Sequence, residues 1–88
     1  MTLIDKRQPR VSISADSMGN LIAVEAHIAK SMPEERKHAM AVARTLYAIM
    51  LMNGVEVSFE WADPDFKWPG KGYCELKSVI IAGKRFEV

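Results

Sequence analysis

Few residues of this chain could do covalent or acid–base chemistry: His27, His38, Cys74 and a scatter of carboxylates. Glu35 and His38 stand three apart, so on a helix they share a face, which is the spacing of di-iron bundles. Such a site needs a second pair and two further glutamates, and the chain holds only this one pair. Both residues therefore read as surface groups of a first helical turn. The one cysteine, Cys74, falls on the apolar side of an alternating run, where a thiol packs rather than reacts. No G-x-S-x-G elbow accompanies the serines. Asp63-x-Asp65 offers two hard ligands where calcium takes roughly six to eight oxygens, and an Asp beside Pro64 is first a turn starter. Pro69-Gly70-Lys71-Gly72 has the composition of a phosphate-cradling turn without the G-x-x-x-x-G-K-[ST] spacing. No catalytic residue, metal ligand or cofactor is assigned, and the chain is not expected to be an enzyme.

A second kind of chemistry, recognition, is better represented. The run FEWADPDFKWPGKGY (59–73) gathers five of the seven aromatic residues, both tryptophans among them, around two prolines and two glycines. Two readings stand open. The rings fold back over a sheet edge as a lid, or Phe66, Lys67 and Trp68 project as an interface anchor of the Trp-plus-cation type. On the second reading the partner-binding set is Asp63, Asp65, Phe66, Lys67, Trp68 and Lys71, with the two aspartates as polar rim. The run LYAIMLM (46–52) is apolar almost all round, more than one sheet face covers, so Tyr47, Leu51 and Met52 are candidates for an oligomer interface. Arg36, Lys37 and Arg44 are candidate nucleic-acid contacts, joined by Lys67 and Lys71 of the loop with neighbouring rings stacking on bases.

These residues must be carried by regular elements. RVSISAD (10–16) and LIAVEAHIA (21–29) both alternate, and Ser17-Met18-Gly19-Asn20 between them supplies turn residues, so the spacing predicts a β-hairpin. Ser31-Met32-Pro33-Glu34 has the pattern of a capping box with proline in the first turn. Apolar positions at 39, 42, 43, 46, 49 and 50 trace a helical stripe, which Asn53-Gly54 ends. VEVSFEW (55–61) alternates as a strand with Val55, Val57, Phe59 and Trp61 on one face. YCELKSVIIA (73–82) follows, with Cys74, Leu76, Ile80 and Ala82 assigned to one face. Gly83-Lys84 is expected to close a hairpin onto residues 85–88. The expected fold is a single two-layer α+β domain over 1–88, in β-β-α-β-β-β order, with residues 1–9 as a lead-in.

Composition bounds the function. Twelve basic residues against eleven acidic give a net charge of +1, without the positive surplus usual in a dedicated nucleic-acid binder. A single cysteine forms no intrachain disulfide, which points to a reducing compartment. Residue 5 is already charged, no apolar leader is visible, and the longest apolar run falls far short of the roughly 20 residues of a membrane span. A cytoplasmic protein without membrane contact is expected. In size, and in lacking a catalytic set, the chain is similar in style to small accessory or inhibitor proteins of phages and mobile elements, a likeness that no residue motif carries. The expected activity is binding of a protein partner, with a second copy of the chain as one candidate. Nucleic-acid binding through the 62–72 loop and the basic strip is the alternative.

Overall fold

A three-stranded antiparallel sheet lies against a pair of helices in the structure, a computed structural model that describes residues 14–88. The element order is α1 (Ala15–Ser31), a 3-10 turn (Pro33–Glu35), α2 (Arg36–Met52), β1 (Val57–Trp61), β2 (Leu76–Ile81) and β3 (Lys84–Glu87). The α+β class is as expected from sequence, whereas the β-β-α-β-β-β order is not: both helices come first and three strands follow.

The difference lies at residues 14–31. Residues 10–13 of the first expected strand lie outside the described residues, and the second expected strand, 21–29, is helical. Alternation at Ile22, Val24, Ala26 and Ile28 misleads because Ile22 and Ala26 are also four apart. The side chains that are buried are Met18, Ile22, Ala26 and Ala29, a helical stripe, while Val24 is exposed. Ser14 caps this helix by accepting from the Ser17 backbone N–H at 3.1 Å. Asp16 in the first turn and Lys30 in the last complement the helix dipole. Gly19, expected in a turn, sits inside α1 where the helix meets Phe86 of β3; a Cβ built there would lie 2.5 Å from ring carbons. Its role is absence of volume.

The capping box is not formed. Ser31 ends α1, and its hydroxyl donates back to the Ile28 carbonyl at 3.3 Å, while Glu35 at the N-cap of α2 makes no side-chain cap. From there the expected stripe holds, with Ala39, Met40, Ala43, Leu46 and Met50 buried. At its end the Gly54 N–H donates to the Leu51 carbonyl and the Val55 N–H to that of Met50, a Schellman motif with Gly54 at φ +68°.

Strand β1 pairs with β2 and β2 with β3. Val57 faces Ile81, Phe59 faces Val79 and Glu60 faces Ser78, but Trp61 faces Leu76, so Lys77 is the extra residue of a bulge. That bulge shifts the phase of β2. Leu76, Val79 and Ile81 turn to the helices, where the sequence reading had placed Leu76, Ile80 and Ala82. The β2–β3 hairpin turns on Ala82 and Gly83, one residue earlier than expected; both have positive φ (+52° and +83°), as a two-residue type I′ loop requires. The core joins Met18, Ile22 and Ala26 of α1, Leu46 and Met50 of α2, and Leu76, Val79, Ile81 and Phe86 of the sheet.

Candidate functional site

The aromatic loop folds back. Trp68 packs against Tyr47 of α2 at 4.9 Å between ring centroids and against Phe59 of β1 at 4.6 Å. Phe59 and Trp61 stack at 5.5 Å, and Phe66 meets Trp61 edge-on at 5.0 Å. Such contacts are worth about 0.5–1.5 kcal/mol each beyond the area they bury. Phe66, Trp68 and Tyr47 are consequently half-buried in one ring cluster. Tyr47 thus lies apart in role from the exposed apolar end of α2 with which the sequence reading grouped it.

The polar residues of the loop shape its backbone. Asp63 accepts from the Asp65 N–H at 2.9 Å, the Asx-turn expected of that residue type. The Asp63 N–H donates to Cys74 Sγ at 3.4 Å, and the Ala62 N–H to the Glu75 carbonyl at 2.7 Å. Arg44 of α2 donates to the Gly70 carbonyl and ties the far limb of the loop to the helix. Asp63, Asp65, Lys67 and Lys71 remain exposed.

Beneath that limb the three basic candidates come together. Arg36, Lys37 and Arg44, one flank of α2, line an open hollow of about 310 Å³ with Met40, Gly72 and Tyr73. The Arg36 guanidinium lies 4.7 Å from the Tyr73 ring centroid, a cation–π contact, and its Nε donates to the Ala29 carbonyl at 3.4 Å. Burial raises the Tyr73 phenol above its ordinary range, opposed by the charge of Arg36 and reinforced by Glu75. Tyr73 is thus a neutral hydroxyl donor at physiological pH.

At the other end of α2 the surface is apolar. Leu51 is 56% exposed and Met52 84%. Leu51 shares a groove with Val57 of β1, which among the described residues is an edge strand. The Ala82 N–H donates to the Glu56 carbonyl, so the alternation of an antiparallel ladder turns the backbone groups of Ser58 and Glu60 toward β2. Those of Val57 and Phe59 point outward, where no described strand pairs with them. A broad groove of about 570 Å³ runs from Leu51 past Val55 and Val57 to Ile80.

The open face of the sheet carries a polar cluster that the sequence reading missed. Arg85 donates to Glu60 and to the Ser78 hydroxyl (2.9 Å to the latter), and Ser78 donates to Glu60. Ser78 is wholly buried under these side chains. The Glu60 carboxyl is held below the usual range by its hydrogen bonds from Arg85 and Ser78, and Arg85 is raised in turn. Only strand register brings Glu60, Ser78 and Arg85 together.

The histidines stay apart from any such cluster. His27 and His38 are both exposed, and His38 lies 3.5 Å from Glu25 across the helical hairpin. Among the described residues no group of three or more His, Cys, Asp or Glu could hold a metal ion. No described helix is long and apolar enough to cross a membrane.

Among the described residues, fold and surface together define an α+β arrangement in which a helical hairpin covers a three-stranded meander, with an apolar edge at one end of α2 and a basic hollow at the other. Comparison with protein-family models, curated proteins and solved structures finds no match to it.

Proposed function

We propose that this protein acts by binding another protein, through the C-terminal end of α2 and the edge of β1 that no described strand covers. The observation that carries the reading is the exposure of Leu51 and Met52 at the end of α2, with Leu51 in one groove with Val57, together with backbone donors and acceptors at Val57 and Phe59 that no described strand pairs. Large apolar side chains next to an unprotected edge are what proteins otherwise avoid, because such an edge accepts a further strand. The occupant that fits is an extended partner segment adding as a fourth strand. Main-chain bonds to Val57 and Phe59 would supply affinity, and apolar side chains settling on Leu51, Val55 and Ile80 would supply specificity. The exposed Asp63 and Asp65, in the loop that leaves the far end of the same strand, would form a polar rim.

The test combines a photo-crosslinker at position 52, which identifies the bound segment, with amide hydrogen exchange on the complex. Protection of the Val57 and Phe59 amides, and loss of the complex in the Leu51→Gln/Met52→Gln variant with its melting temperature kept, is the expected result. Light scattering shows whether the occupant is a second copy. A complex that survives the double variant, with those two amides exchanging as in the free protein, refutes the reading.

A further inference from the structure

The near-neutral charge of the chain conceals an uneven distribution. Two of its basic residues are neutralised within the fold: Lys84 pairs with Asp16 at 2.9 Å and Arg85 with Glu60. Arg36, Lys37 and Arg44 have no carboxylate within ion-pair distance among the described residues, and these three line one hollow. Among the described residues no acidic side chain lines it with them; Glu34 and Glu35 precede Arg36 at the same helix end, and Glu75 acts on Tyr73. The hollow also flanks the first turns of α2, where the helix dipole adds positive potential.

The cations are held in place. Arg36 is fixed by the Ala29 carbonyl and the Tyr73 ring, and Arg44 by the Gly70 carbonyl. A guanidinium has five N–H donors, so each keeps others for a ligand. Lys37 is exposed between them. Tyr73, a half-buried ring with a hydroxyl donor and the Arg36 guanidinium over it, forms one wall of the hollow, and Met40 forms an apolar floor. Two anchored guanidiniums and an ammonium suit the oxygens of a phosphate. A flat aromatic surface beside them suits a base, since stacking on tyrosine or on a guanidinium plane is how single strands are held.

We infer that this hollow binds a nucleotide unit, its phosphate on Arg36, Lys37 and Arg44 and its base against Tyr73. The site goes beyond the protein-binding reading and is separate from it. Arg36 and Met52 are the two ends of α2, about 24 Å apart at 1.5 Å per residue. Either proposal can fail alone.

The experiment is a set of amide chemical-shift titrations of the whole chain with inorganic phosphate, AMP and a dT12 oligonucleotide, backed by fluorescence anisotropy of labelled dT12 at several salt concentrations. AMP is expected to move the amides of residues 36–44 and 70–73 and to bind more tightly than phosphate. Lys37→Gln, which removes an exposed side chain and leaves the fold intact, should weaken AMP or dT12 about tenfold. Tyr73→Leu should erase the preference for AMP over phosphate. If dT12 binds far more tightly than AMP, with a log–log salt slope of about −0.7 for each phosphate neutralised, the nucleotide comes from a single strand. AMP binding without that gain assigns a free nucleotide; both outcomes support the site. Equal affinity for phosphate and AMP, shifts mapping elsewhere, or no response to any probe at millimolar concentration overturns it.

Discussion

Gly19→Ala is the substitution through which the architecture is most exposed to refutation. In an ordinary helix interior, replacing glycine by alanine stabilises by about 0.8–1 kcal/mol. Here the new Cβ would sit 2.5 Å from Phe86 Cγ and Cδ1 and 2.6 Å from Cδ2, where ordinary contact begins at 3.4 Å. Ring and helix must therefore separate by about 0.9 Å. Phe86 is buried in the core shared by α1 and the sheet and cannot yield without opening that contact. Overpacking of this kind costs typically about 1–3 kcal/mol, and full loss of a buried phenylalanine about 3–5 kcal/mol. With the propensity gain offsetting part of the cost, Gly19→Ala should destabilise by about 1–3 kcal/mol. For a domain of this size that lowers the melting temperature by at least roughly 4–8 °C. Urea unfolding followed by circular dichroism and tryptophan fluorescence reads the value. Phe86→Leu in the same chain relieves the clash, so a double-mutant cycle should give a coupling of at least about 1 kcal/mol. A Gly19→Ala protein that is more stable than wild type, or a cycle with no coupling, would show that α1 does not lie on Phe86.

Three further expectations follow from particular contacts. Trp68→Ala should cost about 2–4 kcal/mol by emptying the ring cluster. Trp68→Phe should cost less than about 1.5 kcal/mol, because the indole N–H is buried with no acceptor among the described residues; equal losses in urea melts would contradict the lid geometry. Ala82 holds φ +52° in the β2–β3 turn, so Ala82→Asn should raise stability by about 1 kcal/mol, and a fall in the urea midpoint would rule out the type I′ turn. The lowered Glu60 carboxyl makes the folded state bind fewer protons than the unfolded chain in acid. Its contribution is complete above the unfolded glutamate value of about 4.3 and disappears as pH falls through the lower folded value. Glu60→Gln should therefore flatten part of the acid limb of a stability-against-pH profile, and an acid limb of unchanged slope would remove the Arg85–Glu60 hydrogen bonds from the account.

Where one local pattern admitted one structure, the residues alone determined the outcome. The 3.6-residue stripe from Ala39 to Met50 has no strand alternative, Asn53-Gly54 marks a helix end by its backbone freedom, and Val57–Trp61 alternates without a competing helical period. The two ends of α2 could be named from composition as well: Leu51 and Met52 as surplus apolar surface, Arg36, Lys37 and Arg44 as a basic flank. What sequence left ambiguous was settled by contacts distant along the chain. Residues 21–29 satisfy both a period of two and a spacing of four, and burial of Ile22 and Ala26 against Leu76, Val79 and Phe86 selects the helix. The phase of β2 depends on the bulge at Lys77, which exists only in its pairing with β1. The rings of Phe66 and Trp68 turn inward because Tyr47 and Phe59 offer them a packed surface, and no property of the loop itself shows that surface to be there. Local propensity acts over a few residues, whereas burial is decided by the whole tertiary structure, and where the two were free to differ it was burial that prevailed.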